Sequence, residues 1–187
     1  MKVGDSGMPE ESYWNSLFDI DRIVDWLAIP EGSSVVEIGC GYGTFTVPIA
    51  KKPRCNIHAF DIDPSMIETA QENVRKSGAS NVKFQLRDVM DQGTGINSES
   101  VDMVLLFNIL HFSEKRTLLA EAARILKKRG IVAIIHWRKD IPTPRGPAID
   151  VRPDMDKIMD ASAGLGLVLY GDAKVLEPYH WGIQLTK

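Results

Sequence analysis

Ser34-Val35-Val36-Glu37-Ile38-Gly39-Cys40-Gly41-Tyr42-Gly43 is the stretch on which the reading of the fold turns. Ser34 to Ile38 has the composition of a short buried strand, and it empties into three glycines within five positions. A tight strand-to-helix turn needs one glycine. Three remove side chains where backbone approaches a ligand or takes positive φ. A dinucleotide fingerprint spaces its glycines G-x-G-x-x-G, but here the third comes one residue early and position 44 is Thr. Asp61 follows Gly39 by 22 positions, at the end of the next strand run, Asn56 to Asp61. A carboxylate there can accept both hydroxyls of a ribose, in NAD or in another adenosine ligand.

Working outward, Leu17, Ile20, Ile23, Val24 and Leu27 recur at helical spacing and predict a helix within 15–27, ended by Pro30 and Gly32. A second helix is expected over about 44–52. Asp63-Pro64 reads as an N-cap with proline in the first turn, opening a helix that buries Met66, Ile67, Ala70 and Val74 and closes at Gly78. Val82, Phe84 and Leu86 alternate with polar residues, as in a strand with one wet face. Residues 103–107 and 131–135 are continuously apolar, as in strands covered on both sides. Between them a helix started by Ser113 carries Leu118, Leu119, Ala122, Ile125 and Leu126, with Gly130 as its expected stop. A last helix near 153–163 precedes strands over 167–175 and 180–186, joined through Glu177-Pro178. Strands alternating with helices predict an α/β, Rossmann-like three-layer α/β/α sandwich: a mostly parallel seven-stranded sheet ending in an antiparallel C-terminal hairpin.

The 187 residues suit one domain spanning 1–187, with a polar N-terminal extension over 1–14. The net charge of −3, from 22 basic and 25 acidic residues, disfavours a nucleic-acid partner held by phosphate neutralisation. No apolar run approaches membrane-spanning length, and residues 1–12 lack the apolar core of a signal peptide, so a cytoplasmic protein is expected. Cys40 and Cys55 are too few for a disulfide framework, and His58, His111, His136 and His180 show no ligand spacing. No metal is expected.

Ligands of open α/β sheets sit beyond the carboxyl ends of the strands. Glycines or polar residues stand at five such ends: the glycine loop, Asp61, Asp88, Asn108 with His111, and His136 with Trp137. Asp88 can accept from an adenine amino group while Val89 and Met90 line the ring; a solvated turn aspartate is the alternative. After Trp137 comes a long connection, 138–153, with four prolines (Pro142, Pro144, Pro147, Pro153) and one glycine. Its length and composition suggest a stiff wall near an acceptor site.

These residues resemble the class I S-adenosylmethionine-dependent methyltransferases. Val35 to Gly43 is similar to their first motif and Phe60-Asp61-Ile62-Asp63 to the second. Arg87-Asp88-Val89 and Leu106-Phe107-Asn108-Ile109-Leu110-His111 resemble the motifs after the third and fourth strands. The likeness covers nearly the whole chain and is strongest to the UbiE-like, type 11 subgroup. It implies S-adenosylmethionine as cofactor. Glu37 and the loop of Gly39, Cys40, Gly41 and Gly43 would hold the methionine end, Asp61 the ribose, and Ile62 and Met66 the faces of the adenine. Asp88 and the Val89 backbone would take the adenine edge, and the Asn108 carbonyl the ammonium.

The expected reaction is in-line methyl transfer to a small-molecule acceptor. Placement of donor and acceptor can supply roughly 7–11 kcal/mol, and a general base adds about 3–5 kcal/mol only where the nucleophile must lose a proton. His111 and His136 are the base candidates; a packed ring that orients the loop is the other reading of His111. Trp137, Tyr13 and Trp14 could wall the pocket or belong to the core. Two alternatives stand beside this: an NAD(P)-dependent oxidoreductase, and a non-catalytic cofactor-binding partner subunit. The sequence does not specify the attacked atom or the oligomeric state.

Overall fold

The structure, a computed structural model, describes residues 8–187. Contacts divide the chain into two compact units that meet in sequence between Gly95 and Ile96.

In the first unit a short helix α1 (Glu11–Asn15) precedes α2 (Ile20–Leu27). Asp19 caps α2 by accepting from the Arg22 amide at 3.1 Å, and Ile23, Val24 and Leu27 are its buried side. The helix ends at Ala28, which takes the left-handed conformation (φ 48°) ahead of Pro30. Strand β1 (Ser34–Ile38) pairs in parallel with β2 (Asn56–Asp61), and β2 with β3 (Val82–Leu86). Helix α3 (Thr46–Ala50) is shorter than the expected 44–52, because residues 41–45 are spent on turns. Helix α4 (Pro64–Lys76) is as expected: the Asp63 carboxylate accepts from the Ser65 amide at 2.8 Å, and Met66, Ile67, Ala70 and Val74 are buried. The alternation in β3 is weaker than the sequence implies. Leu86 is 57% exposed, although it still pairs with Asp61 at the end of the β2–β3 register. A further short helix, α5 (Val89–Gln92), follows Asp88.

The second unit holds β4 (Val101–Phe107) parallel to β5 (Leu126–Trp137), with α6 (Lys115–Ile125) between them. Gly130 does not stop α6. The chain turns extended at Leu126 (ψ 134°) and enters β5 at once, and the residues before Ile131 form a bulge in which Arg129 takes φ 67°. A Cβ on Gly130 would stand 2.9 Å from both Leu126 Cδ2 and the Lys127 carbonyl, so the glycine serves close packing within the bulge.

Helix α7 (Met155–Ser162) leads to β6 (Val168–Leu169), β7 (Lys174–Leu176) and β8 (His180–Thr186). Both β6 and β7 pair antiparallel with β8, which itself pairs antiparallel with β5. The strand expected over 167–175 is therefore two, broken where Gly171 takes φ 72°. That is why the described residues hold eight strands and not seven. The architecture is a mixed α/β, Rossmann-like one, parallel through β1 to β5 within each unit and antiparallel at the C-terminal end.

Candidate functional site

The glycine loop is fastened to the end of β2. The Gly39 and Cys40 amides both donate to the Phe60 carbonyl, at 2.8 and 3.0 Å. Gly43 takes φ 79°, and a Cβ there would meet Ala70 at an ordinary contact distance of 3.4 Å, so it is the conformation that calls for glycine. Asp61 is buried with both carboxylate oxygens engaged: Oδ2 accepts from the Gly41 amide at 2.8 Å and Oδ1 from the Asp63 amide at 3.0 Å. Burial raises its pKa and these amide bonds oppose the rise. Glu37 is buried on β1 and accepts from the Thr46 hydroxyl. Burial pushes its pKa up to about 8; the Thr46 bond works against this and the nearby Asp61 carboxylate adds to it.

The Cys40 thiol is buried, and burial followed by the Glu37 and Asp61 carboxylates pushes its pKa upward, so it stays protonated. Met66 and Val89 are buried and Ile62 is 43% exposed. Asp88 caps α5, accepting from the Met90 amide at 3.0 Å, which the sequence reading of a solvated turn did not foresee.

The segment around α1 is docked on this loop. Tyr42 donates its hydroxyl to the Pro9 carbonyl at 2.6 Å, Thr44 to Asn15 at 2.7 Å, and the Asn73 amide to Glu11 at 2.7 Å and the Tyr42 carbonyl at 2.9 Å. Residues 8–14 of the expected polar extension are thus held in place; residues 1–7 lie outside the described residues. Trp14 packs edge-on against Phe18 at 5.0 Å, and Tyr13 is 42% exposed. A cleft of about 770 Å³ is lined in part by Glu11, Phe18, Tyr42, Gly43, Thr44 and Asn73.

In the second unit the ends of β4 and β5 carry the other sequence-predicted residues. Asn108 adopts φ 58°, its amide donates to the Ile135 carbonyl at 2.8 Å, and its Nδ2 faces His180 Nε2 at 3.3 Å. Its side-chain oxygen is buried with no hydrogen-bond partner among the described residues. His111 is half-buried, with ring centroids 4.2 Å from Phe112 and 5.8 Å from His136. His136 is fully buried, and neither its ring nitrogens nor His111 Nδ1 makes a well-aligned hydrogen bond among the described residues, although the Trp137 backbone beside His136 and the Asn108 backbone beside His111 oppose the fall in their pKa values. Burial, followed by the repulsion of His111, pushes His136 down to about 3. His180, unused in the sequence reading, stacks on Trp137 at 4.3 Å and is also lowered to about 3, by burial and then Arg152. No spacing signal exposes it, because only strand pairing brings β8 beside Trp137.

The proline-rich connection is internally braced. Arg152, 5% exposed, donates to the carbonyls of Arg138 (2.5 Å), Pro147 (2.9 Å) and Arg145 (3.2 Å), and its guanidinium lies 5.9 Å from the Trp137 ring centre. Gly146 sits against that indole so closely that a Cβ would come within 2.9 Å of it. Arg138 pairs with Asp140 at 2.7 Å, and Lys139 pairs with Asp154. Trp137 is therefore the loop's packing core.

A family profile described as a methyltransferase domain matches residues 29–172, and the chain belongs to that family. More specifically, it is a class I methyltransferase domain of the type 11-like kind, and its cofactor is S-adenosylmethionine. The crystal structure of an S-adenosylmethionine-dependent methyltransferase from Aquifex aeolicus superposes with a TM-score of 0.80 at 23% identity, covering 94% of this chain and 93% of that one. A Sulfolobus solfataricus protein described as a type 11 methyltransferase gives 0.73 at 25% identity, covering 91% and 93%. The human EEF1A lysine methyltransferase 2 is 27% identical over 151 residues, which are 74% of this chain and 62% of that protein. The chain thus spans about three-fifths of the length of this curated relative.

The residues present fit the cofactor. The loop turns on glycines of positive φ at 39, 41 and 43, and two buried carboxyls, Glu37 and Asp61, stand beside it with raised pKa values. Buried carboxyls of that kind are suited to a ligand bearing a cation and a diol.

Proposed function

We propose that this chain transfers a methyl group from S-adenosylmethionine to a small-molecule acceptor in the cytoplasm, and that its two units act as one domain over 1–187. The family match supports the last point, since it runs unbroken across the boundary at residue 95. The observation that carries the acceptor class is the brace on residues 138–152: a wall held by Arg152 and Gly146 suits a defined small ligand better than a yielding surface.

The cofactor supplies a methyl carbon already activated by its sulfonium, so the chain's task is placement. Asp61 would accept from the ribose hydroxyls, Asp88 and the Val89 backbone would take the adenine edge, and Ile62 and Met66 its faces. Glu37, with the backbone of Gly39, Cys40, Gly41 and Gly43, would hold the methionine end, and the Asn108 carbonyl its ammonium. Burial raises the Glu37 pKa to about 8, and an arriving ammonium would favour its ionised form. His111 is the base candidate. It is half-buried and reachable, while His136, lowered to about 3, would stay neutral beside it.

The human relative's name favours a second reading, in which the acceptor is a protein lysine. Tritiated S-adenosylmethionine, offered with a metabolite extract and separately with a denatured proteome, distinguishes the two. Label in the small-molecule fraction is the expected result. Label confined to protein would replace this reading with the second.

A further inference from the structure

Asn108 takes a left-handed φ of 58° just past β4, a conformation disfavoured for residues that carry a Cβ. Its neighbours hold it there. The Asn108 amide donates to the Ile135 carbonyl at 2.8 Å, and the His111 ring draws on the Asn108 backbone, opposing the fall of its own pKa. The side-chain Nδ2 faces His180 Nε2 on β8 at 3.3 Å, across 72 positions of sequence. A carboxamide nitrogen only donates, and a neutral imidazole has one lone pair to receive it. Burial and then Arg152 keep the His180 ring neutral. The ring is also fixed: it is fully buried, stacks on Trp137 at 4.3 Å, and lies opposite Trp137 in the β5–β8 register. Core packing alone does not account for this pair. The Asn108 Oδ1 stays buried without a hydrogen-bond partner among the described residues, a cost that an apolar side chain would avoid.

We infer that His180 is a positioning residue for the cofactor: by holding the Asn108 side chain it fixes the left-handed turn after β4, and with it the direction of the Asn108 carbonyl that takes the cofactor's ammonium. His180 touches neither cofactor nor acceptor in this role and acts through Asn108. The carbonyl oxygen has two lone pairs, so one remains for the ammonium beside the His111 ring. Direction matters because a hydrogen bond weakens steeply once it is bent, and a charge-assisted one has the most to lose. A turn pinned through its backbone alone could still swing its carbonyl; a side chain tied to a stacked, buried ring removes that freedom. The inference rests on the methyltransferase reading and on the ammonium role given there to Asn108. It adds the element that sets the carbonyl, a strand from the far end of the sheet.

Calorimetry with two ligands separates this role from a purely structural one. S-adenosylhomocysteine carries the amino-acid end with its ammonium, whereas 5′-methylthioadenosine keeps the adenine and ribose and lacks that end. His180→Phe retains a ring against Trp137 and removes the acceptor for Asn108. It should weaken S-adenosylhomocysteine about tenfold and leave 5′-methylthioadenosine within about twofold. His180→Gln, whose amide oxygen can stand near the place of Nε2, should restore most of the loss. In an Asn108→Gly background the left-handed turn carries no Cβ penalty and no side chain is held, so His180→Phe should cost nothing further. An unchanged S-adenosylhomocysteine affinity, equal weakening of both ligands, or a full loss persisting in the glycine background would overturn the inference. If the unaltered protein bound neither ligand, the methyltransferase reading itself would fall. Should His180→Phe not fold, ¹⁵N spectra of the unaltered protein decide. S-adenosylhomocysteine should shift the His180 Nε2 and Asn108 Nδ2 signals and 5′-methylthioadenosine should leave them; signals unmoved by the first, or moved alike by both, would overturn the inference.

Discussion

The glycine-loop crevice and the histidine cluster treat their buried polar groups in opposite ways. Around the loop every acid is engaged: Asp61 by two amides, Glu37 by Thr46, Asp88 by the α5 amide of Met90. At the ends of β4 and β5, His111, His136 and Asn108 each keep at least one bare buried atom. The first region is assembled before any ligand arrives. The second leaves buried polar atoms without a well-aligned hydrogen bond. Preorganised groups lose little freedom on binding, which favours a shared cofactor, whereas unmet polar groups discriminate sharply among partners because each mismatch leaves one of them bare.

The largest expected effect is a stability profile that the two regions pull in opposite directions. Glu37 has its folded pKa raised from 4.5 to about 8, so its contribution is fully present below pH 4.5 and is lost as pH rises through 8. His136 and His180 have theirs lowered from 6.5 to about 3, so their contribution is present above pH 6.5 and is lost as pH falls through 3. Each arm should amount to several kcal/mol, on the linkage rule of about 1.4 kcal/mol per unit. Urea denaturation of the ligand-free protein across pH 3–9 should trace both arms. Glu37→Gln should flatten only the alkaline arm, and one that persisted in this variant would assign it elsewhere.

Next comes Asp61→Ala, which should weaken S-adenosylhomocysteine about 10²-fold by removing two charge-assisted bonds of roughly 1.5–3 kcal/mol each. Calorimetry on the folded variant measures this, and an unchanged Kd would place the ribose elsewhere. Smallest is Arg152→Met. It deletes three loop hydrogen bonds and should cost about 2 kcal/mol of unfolding free energy, with cofactor affinity unaltered. A loss of cofactor affinity in that variant would mean that the loop brace also shapes the crevice.

Local chemistry made the first region legible. The glycine spacing, Asp61 at a strand end and the Asp63-Pro64 cap are all signals written within a few residues, and the structure carries each of them out. The reading failed where tertiary pairing decides. Gly130 looked like a helix stop because glycines often are, but the register of β5 against β4 absorbs it into a bulge. Gly171 looked like part of a strand, although its left-handed φ divides that strand in two. Arg152 carries no sequence signal, since no periodicity marks a guanidinium that folds back onto its own loop. His180 became relevant only through the pairing of β8 with β5.

Because α6 ends at Ile125 and β5 begins at Leu126, the polypeptide has no slack at that junction. One residue added inside α6 would rotate everything beyond it by about 100°, and one added within residues 131–137 would turn the apolar set of β5 to the wrong side. Only the bulge at 127–130 could take up an extra residue. Anyone splicing a reporter, cutting the chain or permuting its ends should therefore leave 115–137 whole and work at the turn around Gly171, where the backbone already changes course between two short exposed strands.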